Sequence, residues 1–382
     1  MQTESNRRIT YADADHLRAL LGLSAVDNLW LTAGVSRGWR MDDNKFRRRP
    51  VQDPTVAMLV RHLSAHPEAC FVPRLPGVRA AWEKVREAGG TAREGWDEAR
   101  FAILLGCSPT AARVWLHGGG EASRLVGNLA ALLSAAITYR GAEGLDGFAR
   151  TVEAEALSRG IGAAALWERG WRGGPEEPGD GAEGRIRGED LRRVKALCDM
   201  DSSDMLWMGG TAAGKERTGG REGKAALGDP TASLVWRYLL EWPEDRPLPP
   251  MPEPDDIADS LESVMSKPSR GGGYNRRRIG QLLGCTGMSG YNWLDAKDNI
   301  SGIVRRLALV MVSAIARDGR DGFDRYLDTV EAEAAARGFA GLGEVFRHEW
   351  KSRRDNGPSM EFRILDGSSP PHEGELEFRP ES

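Results

Sequence analysis

The segment Thr151-Val-Glu-Ala-Glu-Ala156 occurs a second time as Thr329-Val-Glu-Ala-Glu-Ala334. Leu104-Leu-Gly-Cys107 recurs as Leu282-Leu-Gly-Cys285, and Trp115-Leu116 as Trp293-Leu294, each displaced by 178. Upstream, Leu29-Trp30 recurs as Leu206-Trp207 at 177, and Asp53-Pro-Thr55 as Asp229-Pro-Thr231 at 176. A displacement that drifts by only one or two residues predicts one unit present twice, with its changes confined to loops. The copies are expected over residues 10–172 and 188–351, joined by a flexible linker at 173–188 that is rich in Gly, Pro and charge.

Periodicity inside each copy is helical. Over 121–139 the residues Leu125, Leu129, Leu132, Leu133, Ala136 and Ile137 share one face, and over 303–316 Val304, Leu307, Met311 and Ile315 do the same. Pro54-Thr55 and Pro230-Thr231 each open an apolar run, and proline is favourable in a first helical turn. Alternating strand patterns with hairpin turns are absent, so the expectation is an all-α fold. Proline-punctuated connectors at 67–92 and 244–273, each with a short helix (78–88 and 255–266), divide the copies further. Four helical modules result, at 10–66, 93–172, 189–243 and 274–351, followed by a disordered acidic tail at 352–382.

The four cysteines, Cys70, Cys107, Cys198 and Cys285, lie far apart with no CxxC pair, which excludes a disulfide scaffold and a cysteine-type zinc module. They fit a reducing compartment. No apolar run spans a bilayer, and the N-terminus lacks a signal-peptide core, so a cytoplasmic protein without membrane contact is expected. The net charge of −4 is unevenly spread: residues 355–382 carry seven acids and two arginines, whereas 36–49 hold six bases against two acids.

The stretch Phe101-Ala-Ile-Leu-Leu-Gly106-Cys-Ser108-Pro-Thr-Ala-Ala112-Arg-Val-Trp115 reads as helix, tight turn, helix. Gly106 suits a left-handed helix end, Cys107 a small buried turn position, and Ser108 an N-cap. Ala112 and Trp115 then face inward, with a small residue where the helices cross. The second occurrence is Ile279-Gly-Gln-Leu-Leu-Gly284-Cys-Thr286-Gly-Met-Ser-Gly290-Tyr-Asn-Trp293.

These residues resemble the helix-turn-helix of the Cro/CI-type repressor superfamily (XRE-like), through Ala102, Leu105, Gly106, Ser108, Trp115 and Gly118. Leu116 departs from the pattern, standing where an acid is common, and the second occurrence is richer in glycine. More loosely, Leu17–Gly22, Ser24–Gly34 and Ser36–Asn44 resemble the first three helices of such a module, and 53–63 its closing helix. The paired arrangement is similar to regulators of plasmids and integrative elements. The resemblance implies double-stranded DNA as the partner, with the third helix of each module in the major groove.

On that reading Ser108, Thr110, Arg113 and His117 of the second module face DNA beside Pro109, with Arg113 the best base reader because a guanidinium pairs bidentately with guanine. In the fourth module Gly287, Met288, Tyr291 and Asn292 take those places, and Arg276, Arg277 and Arg278 lie within reach of phosphate. In the first module the candidates are Arg37, Arg40 and Lys45, with Arg47, Arg48 and Arg49 as backbone clamps; in the third, Lys215, Arg217, Arg221 and Lys224. Trp30, Trp115, Trp207 and Trp293 are expected as core anchors.

Other chemistries find little here. His62, His66 and Cys70 are spaced by four, but Pro67 interrupts the helix, and no metal or other cofactor is expected. Gly209-Gly-Thr-Ala-Ala-Gly214-Lys215 has phosphate-loop spacing, yet Glu216 stands where a Ser or Thr must hold magnesium. No HExxH motif or Ser/His/Asp constellation occurs, so no enzyme is expected. The expectation is a bacterial transcriptional regulator, monomeric or homodimeric, reading a long composite site and contacting other transcription or transfer proteins. The alternatives are an accessory DNA-binding factor for plasmid transfer, replication or partition, and a protein-interaction scaffold built from degenerate modules.

Overall fold

The computed structural model describes residues 7–39, 41–89, 95–172, 184–210, 226–265, 273, 275–295 and 300–350. Among these the chain is helical, with β-pairing limited to isolated bridges at Thr10–Pro50 and Arg187–Ala226. None of these helices is long and apolar enough to cross a membrane.

The first half contains α1 (Tyr11–Leu20), α2 (Ala25–Leu31), α3 (Asn44–Arg47), α4 (Pro54–Ala65), α5 (Val78–Gly89), α6 (Glu98–Leu104), α7 (Ala111–Leu116), α8 (Arg124–Ser158) and α9 (Ala163–Arg169). The second half contains α10 (Gly188–Leu197), α11 (Ser202–Gly209), α12 (Pro230–Glu241), α13 (Pro254–Met265), α14 (Arg276–Leu282), α15 (Gly287–Asp295), α16 (Gly302–Ala336) and α17 (Leu342–His348). Local chemistry sets many of the boundaries. Thr10 and Asp13, and Ser24 and Asp27, form reciprocal capping boxes at α1 and α2. Asp53 and Asp229 cap α4 and α12 just ahead of Pro54 and Pro230.

Both 35-residue spans, α8 and α16, bend sharply at a glycine with positive φ, Gly141 (+58°) and Gly319 (+57°). A Cβ on Gly144 would overlap the carbonyl of Ala136, and one on Gly322 that of Ala314, so only glycine lets each helix fold back so tightly.

The halves interlock. α4 packs on α16 and α12 packs on α8, so each proline-started helix is covered by the long helix of the other half. α5 lies on α8, α13 on α16, and α2 meets α11 between the halves. The hydrogen bonds are reciprocal. Thr55 Oγ1 donates to Leu283 O (2.8 Å) and Thr231 Oγ1 to Leu105 O (3.0 Å). Trp30 Nε1 donates to Asp204 (2.5 Å) and Trp207 Nε1 to Asp27 (2.9 Å).

Trp30 and Trp207 are fully buried. An aromatic of this size removes about 150–250 Å² from water, worth about 4–6 kcal/mol at ~25 cal/mol/Å² as an upper bound. A hydrogen bond contributes about 1 kcal/mol net. Apolar burial therefore holds the seam, and the indole–carboxylate pairs select its register.

The repeated Thr-Val-Glu-Ala-Glu-Ala segments fasten the same seam. Glu155 is fully buried and accepts from Arg159 (2.7 Å) and from Arg237 of α12 (2.8 Å). Glu333 is buried likewise and accepts from Arg337 (2.7 Å) and from Arg61 of α4 (3.0 Å). Arg159 continues to Gly228 O (2.7 Å) and Arg337 to Gln52 O (2.8 Å), tying down the chain that leads into α12 and α4.

At the centre the correspondence is compensated rather than copied. Arg124 of α8 pairs with Asp27 (2.6 Å), and 178 residues on stands Gly302. Arg306, matching Asn128, supplies the guanidinium from one helical turn later, bonding Asp201 (2.7 Å) and Asp204 (2.9 Å). Burial works against ionisation of Asp201, but Arg306 outweighs it and brings the pKa down to about 2. Asp204 is raised by burial and by the neighbouring Asp201 charge.

Three expectations are corrected. Among the described residues, 36–44 is not one helix: a single 3₁₀ turn, Val35–Gly38, precedes an extended Trp39, and the next helix is the one-turn α3 from Asn44. Ser108 is not an N-cap; it accepts from Ala111 N–H (2.9 Å) in a turn, and α7 begins at Ala111 with no side-chain cap. Trp115 is only half-buried, unlike Trp30, Trp207 and Trp293, because its side chain borders a cleft.

Candidate nucleic-acid interface

The two helix-turn-helix segments are α6–α7 and α14–α15. Each turn passes through a left-handed glycine, Gly106 (φ +73°) and Gly284 (φ +83°). The helices cross at small residues: Ala102 and Ala112 in the first, Gly280 and Gly290 in the second, all fully buried. A Cβ on Gly290 would overlap the carbonyl of Arg276, so α14 and α15 approach more closely than alanine would permit. Cys107 and Cys285 sit in the turns as partly buried hydrophobes. Burial raises both thiol pKa values, that of Cys285 to about 12, which leaves them protonated and unsuited to nucleophilic work.

Each turn docks on the opposite half. Gly106 lies against the backbone of Thr231 and Gly284 against that of Thr55, at the starts of α12 and α4.

On the first segment Ser108, Thr110, Arg113 and His117 are all exposed. Arg113 makes no ion pair among the described residues, whereas His117 Nε2 is 2.6 Å from Glu98 Oε1. Pro109 is partly buried, its ring against Gly170.

On the second segment Met288 is 62% exposed, and Tyr291 and Asn292 also face solvent, while Gly287 is buried. The three arginines lie in the first turn of α14. Arg276 pairs with Asp295, Arg277 reaches Glu349 (3.8 Å), and Arg278 donates to Gly273 O with its guanidinium 5.1 Å from the Phe346 ring.

Glu349 went unnoticed in the sequence. Its Oε1 accepts from the Gly287 N–H (3.1 Å), placing a carboxylate at the N-terminus of α15. Its own φ is +61°, and the matching position of the first half is Gly170 (φ +75°). A side chain at Gly170 would strike Pro109; Gly287, which takes the place of Pro109, clears that space.

The first-module cluster divides. Lys45, Arg48 and Arg49 are exposed, with the Arg49 guanidinium 5.9 Å from the Phe46 ring. Arg47 is half-buried and paired with Asp15 (3.2 Å), so it is the least available of the proposed clamps. Arg37 lies in the 3₁₀ turn, but its side chain, like Arg40, Lys215, Arg217, Arg221 and Lys224, lies outside the described residues. Because Arg48 and Arg49 shortly precede α4, on whose start the α14–α15 turn docks, they accompany the second segment rather than α7.

His62 is buried and bonded to Thr329 Oγ1 (2.9 Å). No group of three His, Cys, Asp or Glu able to hold a metal occurs among the described residues. The phosphate-loop-like run follows helix α11, not a strand. No family model, curated protein or solved structure matches the chain.

Proposed function

We propose that the protein is a sequence-specific DNA-binding regulator, built from two tandem copies of a unit that carries two helix-turn-helix-like modules. The observation that carries this reading is the exposed trio of Ser108 and Thr110, in the turn that leads into α7, and Arg113 on α7, held by a tight small-residue crossing and ending in a guanidinium with no ion pair among the described residues. Such a helix offers hydroxyls for phosphate and a fork for guanine O6 and N7. The interlocked halves act as a pseudo-dimer on one chain, so a composite site is spanned without a second molecule. Lys45, Arg48 and Arg49 supply phosphate contacts beside α14–α15.

A second reading, a protein-interaction scaffold, is favoured by α15. Its N-terminus holds Glu349, its flanking Arg276 is neutralised by Asp295, and its outer face presents Met288 and Tyr291. Whether the target is a promoter, an origin or a transfer site follows from the DNA recovered.

The test is selection of duplexes from a random pool by the purified chain, followed by titration across salt. A DNA reader shows log-linear loss of affinity with salt. Arg113→Ala is expected to cost about 1–3 kcal/mol on the selected site and to relax preference at one base pair. Salt-independent binding, or an Arg113→Ala variant indistinguishable from wild type, overturns the reading.

A further inference from the structure

A cleft of about 1140 Å³ opens in the first half, between the α1–α2 turn, the chain from Pro67 to Arg79 and the loop joining α7 to α8. Four glycines line it, and at three of them, Gly22, Gly77 and Gly127, an added Cβ would meet nothing within 4 Å. The residues displaced by 177, 176 and 178 are Asp199, Glu253 and Arg305. Those three side chains meet: Arg305 Nη2 lies 2.5 Å from Asp199 and 2.7 Å from Glu253. Asp199 even keeps the left-handed backbone of Gly22, φ +44° against +64°. One fold thus fills this space with an ion cluster in one half and clears it with three glycines in the other.

The opened side also differs in charge and in its wall. Arg74, Arg79 and Arg124 stand where the second half has Pro250, Asp255 and Gly302. Arg124 is held by Asp27, and Arg79 Nη2 donates to Leu116 O (2.6 Å), the last residue of α7. Arg74 is exposed and makes no ion pair among the described residues. Glu68 and Glu121 also line the cleft. Its apolar wall includes Leu20, Leu23, Leu75 and the half-buried Trp115, whereas the counterpart Trp293 is only 7% exposed.

We propose that this cleft binds a small organic anion with a flat apolar body, its ring against Trp115 and the leucines and its acid group at Arg74 and Arg79. The volume is somewhat larger than the roughly 300–1,000 Å³ of most small-molecule sites, which commonly combine apolar walls with a few placed polar groups. Guanidinium forks suit a carboxylate or sulfonate. An acid group drawn to Arg79 competes with the Leu116 carbonyl, so occupancy reaches the end of α7. The site does not depend on DNA binding, and its test contains no DNA.

The probe is 8-anilinonaphthalene-1-sulfonate, titrated by fluorescence into the full chain at native pH, with uncharged N-phenyl-1-naphthylamine as the comparison. The expected result is one saturable site per chain, with the neutral probe at least tenfold weaker. Arg74→Ala with Arg79→Ala weakens the sulfonate at least tenfold. The triple variant Gly22→Asp, Gly77→Glu, Gly127→Arg, which transplants the ion cluster of the second half, removes the site while the melting temperature holds. Should the triple variant not fold, the arginine pair decides alone. Equal affinity for both probes, or sulfonate binding unchanged in the arginine variants, overturns the proposal.

Discussion

Replacing Glu155 by alanine tests the interlocked seam directly. The carboxylate is fully buried between Arg159 on its own helix and Arg237 on α12, at 2.7 and 2.8 Å. Both guanidinium groups are largely buried, with side chains 12% and 19% exposed. Truncating Glu155 leaves them facing each other in a poorly solvated space, and removing one partner of a buried pair costs about 3–5 kcal/mol. Unfolding entropy of about 2.1 cal/mol/K per residue gives about 0.8 kcal/mol/K over 382 residues. Glu155→Ala should therefore lower Tm by about 4–6 °C in a calorimetric scan, whereas exposed Glu143→Ala should move it by less than about 1 °C. The decisive measurement is a double-mutant cycle with Arg237→Ala, since Arg237 lies in the other half. Once the carboxylate is gone, the second truncation relieves a stranded charge, so the pair should fall short of additivity by about 1–3 kcal/mol. Additivity within about 0.5 kcal/mol would mean that the two residues are not in contact, and the cross-half packing would be wrong.

Gly284→Ala should destabilise by about 2–6 kcal/mol, because a left-handed backbone at a non-glycine residue and an overfilled contact each cost about 1–3 kcal/mol; its φ is +83° and its Cβ would press on Thr55. Gly34→Ala, at the same φ of +83° but with open space around it, should cost only about 1 kcal/mol, and equal Tm losses for the two would refute docking of the turn on α4. Burial, aided by His66 and by Arg325 and Arg317 against the opposing Glu68, lowers the His62 pKa from 6.5 to about 4. The folded state resists protonation that the unfolded chain accepts, so this contribution is present above pH 6.5 and is lost on acidification towards pH 4. By pH 5 the loss is about 2 kcal/mol, read as a Tm decline between pH 7 and 5 that His62→Asn should flatten.

The all-helical character, the proline-led helices, the left-handed glycines and the small-residue crossings were legible because each depends on neighbours a few residues away. The repeated Thr-Val-Glu-Ala-Glu-Ala segment was equally visible, but its purpose was not: a glutamate pattern does not say which arginines will surround it. The failed third helix at 36–44 reflects weak local signals, with Gly34, Gly38 and Trp39 breaking a stretch that only a loose resemblance made helical.

Apolar stripes of the same spacing in two halves can pair within a half or across, and periodicity is the same either way. Only the tertiary structure decided that α4 meets α16 and α12 meets α8, through threonine, tryptophan and arginine contacts spanning most of the chain. It also placed Glu349 on α15 and gathered Gly22, Gly77 and Gly127 into one opening. Missing side chains scattered over a hundred residues become a cavity only when folding brings those positions to a common wall.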